Sequence, residues 1–180
     1  MRIIAGQWRG RRLVAPVGDA TRPTADRTRE TLFSMLVSRL GDFSGLAVGD
    51  LFAGSGALGL EALSRGAASV QFVERDARVA QALRQNLERL KVAAASVAVV
   101  DAQAFLNGPP QPMDMVFLDP PFALDLWSTL AQQLEQGGWL TNAATVYVEC
   151  PQGSFPSLPP TWQLHKQSRA GDVCFALFRR

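Results

Sequence analysis

The period of the apolar positions changes several times along this 180-residue chain, and each change marks an element. Strand-like segments at 2–5 and 11–15 flank Gly6-Gln7-Trp8-Arg9-Gly10 and predict a small N-terminal β-hairpin. A linker rich in turn formers runs from Pro16 to Pro23, after which Thr24 or Asp26 can cap a helix reaching to about Leu40. In that helix Leu32, Leu36 and Leu40, with Phe33 and Val37, form one apolar stripe. From Leu46 onward, strands and helices alternate. Strands are predicted at 46–52, 69–74, 96–100, 113–118 and 144–149. The helices between them cover 57–65 (closed by Gly66), a segment opened by Asp76, a short turn around Phe105 and Leu106, and 124–134. Two last strands, 162–166 and 172–179, form a hairpin about Arg169-Ala170-Gly171. This alternation predicts one α/β domain, 1–180, with a doubly wound, seven-stranded, mostly parallel sheet. Residues 1–24 extend it as an arginine-rich arm.

Composition narrows the class. A hydrophobic fraction of 47% with 19% charged residues suits a soluble domain. No apolar run has the length of a membrane helix, and the N-terminus has no apolar signal core. Cys150 and Cys174 lie in apolar alternating segments without metal-ligand spacing, so two buried free thiols in a reducing cytoplasm are expected. The net charge of +2 conceals a polarity: residues 1–29 hold seven arginines against two aspartates. Arg2, Arg9, Arg11, Arg12, Arg22, Arg27 and Arg29, together with Thr24, make an RNA-docking arm the favoured reading, since guanidinium suits phosphate and base faces. A solvated arm without a partner is the plainer one. Trp8 at the hairpin tip either stacks on a base or packs back on the domain.

The candidate chemistry lies at the strand ends, where open α/β sheets bind ligands. The stretch Asp50-Leu51-Phe52-Ala53-Gly54-Ser55-Gly56-Ala57-Leu58-Gly59 fits the glycine fingerprint of a cofactor turn, and Glu74-Arg75 follow at the expected distance. Four predicted strand ends carry a carboxylate: Asp50, Glu74, Asp101 and Asp119. Glu74 can accept ribose hydroxyls, Asp101 with the Ala102 amide can read an adenine edge, and Asp50 can hold an α-ammonium. A pyrophosphate would be repelled there, which disfavours a nicotinamide dinucleotide. Asp119-Pro120-Pro121-Phe122 sets a carboxylate and a carbonyl rigidly beside an aromatic ring. Such a group can clamp the two hydrogens of an exocyclic amine while the ring stacks on its base. His165 is the only histidine and falls away from the rim, so neither a metal mechanism nor a hydrolase triad is expected.

The glycine turn, Glu74, Asp101 and Asp119-Pro120-Pro121-Phe122 together resemble a class I S-adenosylmethionine-dependent methyltransferase with a Rossmann-like fold. The strings at 2–11, 22–33 and 52–59, and the closing Ala170-Gly171-Asp172-Val173, resemble the bacterial 16S ribosomal RNA guanine-N2 methyltransferase family, RsmD-like. That resemblance covers nearly the whole chain, which here ends at Arg180 without a tail. It implies S-adenosyl-L-methionine held by Asp50, Phe52, Ala53, Gly54, Gly56, Glu74, Arg75, Asp101 and Ala102. It also implies a flipped guanine at Asp119, Pro120, Pro121 and Phe122, in 16S rRNA of an assembling 30S particle. A cytoplasmic monomer without metal or membrane partner is expected. The other readings kept open are a DNA or protein amine methyltransferase, a NAD-dependent oxidoreductase, and an RNA-binding protein that retained the fold without activity.

Overall fold

The computed structural model describes residues 1–14 and 23–180, the first four of the second span in backbone only. Pro23 opens α1 (Pro23–Leu40), where its missing amide costs nothing. Thr24 and Asp26 therefore fall inside the first turn of that helix rather than before it. The chain continues as β1 (Ala47–Asp50), α2 (Ala57–Ser64), β2 (Ser69–Val73), α3 (Ala77–Arg89), β3 (Ala95–Ala98), α4 (Ala102–Leu106) and β4 (Met113–Leu118). A 3-10 turn (Phe122–Leu124), α5 (Trp127–Gln136), β5 (Leu140–Pro151), β6 (Gln163–Ala170) and β7 (Val173–Arg179) complete it.

The seven strands form one sheet in the order β3-β2-β1-β4-β5-β7-β6. β1 through β5 run parallel and β7 is antiparallel to both β5 and β6. The doubly wound seven-stranded sheet and its antiparallel C-terminal hairpin are thus as predicted. The order reverses between β1 and β4, so a crevice opens beyond their carboxyl ends. Two apolar clusters cover the sheet. One joins Leu32, Phe33 and Leu36 of α1 to Leu60, Leu63 and Leu83 of α2 and α3. The other joins Ala102 and Leu106 to Trp127, Leu130 and Leu134 of α5. In α1 the expected stripe is buried at Leu32, Phe33 and Leu36, with Met35 added to it and Val37, 39% exposed, left out.

The N-terminal arm folds back on itself as the expected small hairpin. Arg2 and Arg12 form an antiparallel bridge, Ile3 N donates to Arg11 O, Gly10 N to Ile3 O and Leu13 N to Met1 O, and side chains then fasten the segment to the domain. Glu61, wholly buried in α2, accepts the amides of Ile4 at 2.7 Å and Ala5 at 3.0 Å while pairing with Arg65 Nε at 2.8 Å. The Ser64 hydroxyl donates to Ala5 O and accepts from Trp8 N, and Asn86 of α3 brackets Val14 through both its amide and its carbonyl. Ile3 and Leu13 enter the core, and Trp8 is half-buried against it. The arginine of Glu61's ion pair lies over the Phe33 ring, 4.7 Å from its centroid. Glu61→Ala leaves two amides and Arg65 uncompensated, so it lowers the unfolding free energy by about 3 kcal/mol, read from urea denaturation.

Candidate active site

β1 ends at Asp50, and the chain then turns through Gly54 and Gly56, both at positive φ (52° and 82°), into α2. Gly59 fits the helix tightly on the sheet: a Cβ there would lie 2.2 Å from the Phe72 ring. Asp50 does not reach the crevice as expected of an ammonium ligand. It is 3% exposed, and its carboxylate accepts the Gly59 amide at 3.0 Å. Burial, only partly offset by the Gly59 amide, pushes its carboxyl up to about 7. Its work in this structure is to tie β1 to the helix that follows the turn.

Beyond the sheet lies a cleft of about 670 Å³ lined by both halves of the fold. Glu74, Arg75, Asp101 and Ala102 line it from β2 and β3, and Asp119, Pro120, Pro121 and Phe122 from β4. Leu51, Phe52, Val73, Val100, Leu124 and Leu126 provide apolar wall. Ala53, Gly54 and Gly56 belong to the turn behind this wall rather than to its lining. Glu74 accepts the Gly54 amide at 2.9 Å through one oxygen and the Asp76 amide at 2.8 Å through the other. It therefore steadies the glycine turn while each oxygen keeps a lone pair for a ligand. Asp101 is exposed and caps α4 by accepting from Ala104 N at 2.9 Å.

At β4 the two prolines pass directly into the 3-10 turn. Pro121 O accepts from Leu124 N at 2.9 Å, whereas Pro120 O receives no donor among the described residues. Phe122 stands 39% exposed, its ring 5.8 Å from that of Trp127. The Trp127 indole donates to Glu149 O at 2.7 Å. Asp119 is half-buried, and its carboxyl is raised well above the usual range by desolvation first, then by the charges of Glu149 and Asp50. Glu149 was not among the residues singled out by sequence, although it closes the fifth predicted strand just as Asp119 closes the fourth. Tyr147, two residues earlier, donates its hydroxyl to Glu149 at 2.5 Å.

Of the arm residues, Arg2, Arg9, Arg11, Arg12 and Arg27 are exposed. Arg2, Arg9 and Arg27 share a recess of about 300 Å³ with Glu30. Arg29 is not available as an RNA contact: it is 5% exposed and its guanidinium donates to Arg2 O. Arg22 lies outside the described residues, and so does the side chain of Thr24. His165 is exposed at a register shift in β6, and both cysteines are buried free thiols. Among the described residues, no group of three or more histidine, cysteine or carboxylate side chains gathers to hold a metal ion. Nor is any of their helices long and apolar enough to cross a membrane.

A parallel sheet reversing at β1/β4, with acceptors at successive strand ends and an antiparallel terminal hairpin, is the α/β methyltransferase fold. The chain belongs to the family described as conserved hypothetical protein 95, the RsmD family, whose model matches residues 1–179. It is 45% identical to ribosomal RNA small subunit methyltransferase D of Escherichia coli K12, over 100% of this chain and 90% of that protein. Identity to the Haemophilus influenzae protein of the same description is 41%, covering 99% of this chain and 93% of that one. Among solved structures, Escherichia coli yhhF, described as a candidate methyltransferase, superposes with a TM-score of 0.91. Its identity is 44%, over 100% of this chain and 97% of that one.

The raised Asp50 carboxyl gives stability a pH dependence. A carboxyl whose folded value lies above its unfolded one favours the fold most below about pH 4, and this contribution is lost as pH rises to about 7. Asp50→Asn removes the titration, so the difference in unfolding free energy between pH 5 and pH 8 should be smaller than in the wild type. Chemical denaturation at the two pH values measures it.

Proposed function

We propose that the chain methylates the exocyclic N2 amine of a guanine in small-subunit ribosomal RNA, with S-adenosyl-L-methionine as methyl donor. One observation carries the reading: the Asp119 carboxyl and the unused Pro120 carbonyl share a cleft with Glu74 and Asp101. The lining fits this donor better than a dinucleotide, since three carboxylates face it against the single Arg75. Glu74 would accept the ribose hydroxyls, Asp101 and the Ala102 amide would meet the adenine edge, and the turn at 52–56 would take the amino-acid end. The donor supplies an electrophilic methyl on sulfonium. The names of the two bacterial relatives support ribosomal RNA as the substrate.

Asp119 and Pro120 O would accept the two amine hydrogens, which favours a pyramidal nitrogen and directs its lone pair toward the methyl. Most of the acceleration then comes from position and preorganised dipoles. A base that leaves its stack costs a few kcal/mol, and stacking on the exposed Phe122 ring returns roughly 1–3 kcal/mol. The exposed arginines of the arm would hold RNA phosphates, and the open side of Trp8 offers a further stacking surface. The Asp-Pro-Pro-Phe motif also suits adenine N6, so an amino-group methyltransferase on DNA or another RNA is the second reading.

Asp119→Ala should lower methyl transfer by at least about 100-fold while the affinity for S-adenosylhomocysteine by calorimetry stays near wild type. Full activity in that variant overturns the clamp, and calorimetric preference for NAD overturns the cofactor. Mass mapping of methylated nucleosides on small-subunit rRNA from a deletion strain should reveal one missing N2-methylguanine; an unchanged map rejects the substrate. Replacing Arg9, Arg11 and Arg12 by alanine should reduce the log–log salt slope of RNA binding by up to about 3. An unchanged slope removes the arm from the docking surface.

A further inference from the structure

Methyl transfer to an amine leaves a proton to be removed, and β5 carries a second carboxylate, Glu149, at the level where β4 gives way to Asp119. Val148 pairs in register with Leu118, the last residue of β4, so Glu149, still inside β5, lies level with Asp119 just past β4. Phe117 pairs with both Asp50 and Tyr147. With side chains alternating along each strand, Asp50, Asp119, Tyr147 and Glu149 all project to one face of the sheet. Glu149 is doubly held. Its carboxylate receives the Tyr147 hydroxyl, and its backbone carbonyl receives the Trp127 indole, whose ring lies against Phe122.

We propose that Asp119 and Glu149 act as one carboxyl pair that takes up the proton shed by the substrate amine, Asp119 touching the amine and Glu149 acting through Asp119 as a positioning residue. The proposal rests on the amine-clamp reading of Asp119. The nitrogen lone pair becomes the new N–C bond, the S–C pair remains on sulfur, and one N–H proton passes to the Asp119 carboxylate. The products are a neutral secondary amine and a neutral thioether, with the pair one proton richer until exchange with water returns it.

A lone exposed carboxylate is a weak acceptor at neutral pH. Two carboxylates at the same level of neighbouring strands cannot both ionise cheaply, so the pair binds one proton more firmly than either group alone. Desolvation and the charges of Glu149 and Asp50 raise Asp119, in the direction that brings a base toward working pH. Burial raises Glu149 too, and the Tyr147 hydroxyl works against that by stabilising its anion. The groups around the pair are Asp50 from β1, Tyr147 and the Cys150 thiol from β5, the neutral Trp127 indole from α5, and Phe175 of β7 opposite Glu149; burial first, then Cys174 and Glu149, pushes that thiol up to about 12, so it stays neutral.

Glu149→Gln keeps the shape and an acceptor for Tyr147 but removes the charge. In single-turnover methylation of 30S particles from a deletion strain, the acidic limb of the pH–rate profile should move down by about one unit, with a lower plateau. Glu149→Asp, which restores the charge, should return the limb toward wild type. Carboxyl ¹³C NMR of the protein without cofactor supplies a readout independent of turnover: the Asp119 titration should fall in Glu149→Gln and recover in Glu149→Asp. An unmoved limb and an unmoved titration overturn the pair, even if Asp119→Ala is inactive. Full activity of Asp119→Ala would instead remove the clamp reading beneath it.

Discussion

The hydrogen bond from the Gly59 amide to the buried Asp50 carboxylate is the constraint on which the site's geometry depends. It joins the end of β1 to the first turn of α2 and closes the loop that carries Gly54 and Gly56. The cost of burying that carboxylate is visible in its raised proton affinity. Glu74 adds a second tie by accepting the Gly54 amide from the neighbouring strand. Two carboxylates thus hold a loop of small residues against three elements, so the turn is braced by strands and a helix rather than left as an independent loop.

Acidity is the theme of the whole rim. Asp50, Glu74, Asp101 and Asp119 sit at or beyond the ends of β1 to β4, and Glu149 lies level with Asp119 within β5. Two of them face inward to backbone, one caps a helix, and two lie on the side where β4 meets β5. Chemically similar groups therefore receive different work from their hydrogen-bond partners and burial alone. A cationic donor and an amine that sheds a proton both suit such surroundings, and a pyrophosphate does not.

Much of this was legible in sequence because it is local. β4 has the predicted bounds, since an apolar run bordered by Pro112 and the two prolines leaves no alternative. The glycine turn and the helix cap at Asp76 likewise depend on neighbours a few residues away. α5 starts at Trp127 rather than at 124 because the prolines lead into a 3-10 turn and Asp125 adopts a left-handed conformation at φ 45°. The hairpin of the arm was legible but its anchorage was not: the partners Glu61 and Ser64 are more than 50 positions distant, so no periodicity could reveal that it is fastened down. Glu149 is another matter, since it could have been found by applying the strand-end criterion once more.

The two ends of α2 face different tasks. Its first turn follows Gly56 and receives the glycine loop, while Glu61 and Ser64 in its second half hold residues 4–8. The arm and the α/β sheet it rests on are therefore not modules that a protein engineer could separate or exchange. Removing the first eight residues to obtain a minimal domain would strip the Glu61 carboxylate of the Ile4 and Ala5 amides, inside the helix that follows the glycine turn. A graft of this arm onto another methyltransferase would need the Glu61 and Ser64 positions transplanted with it.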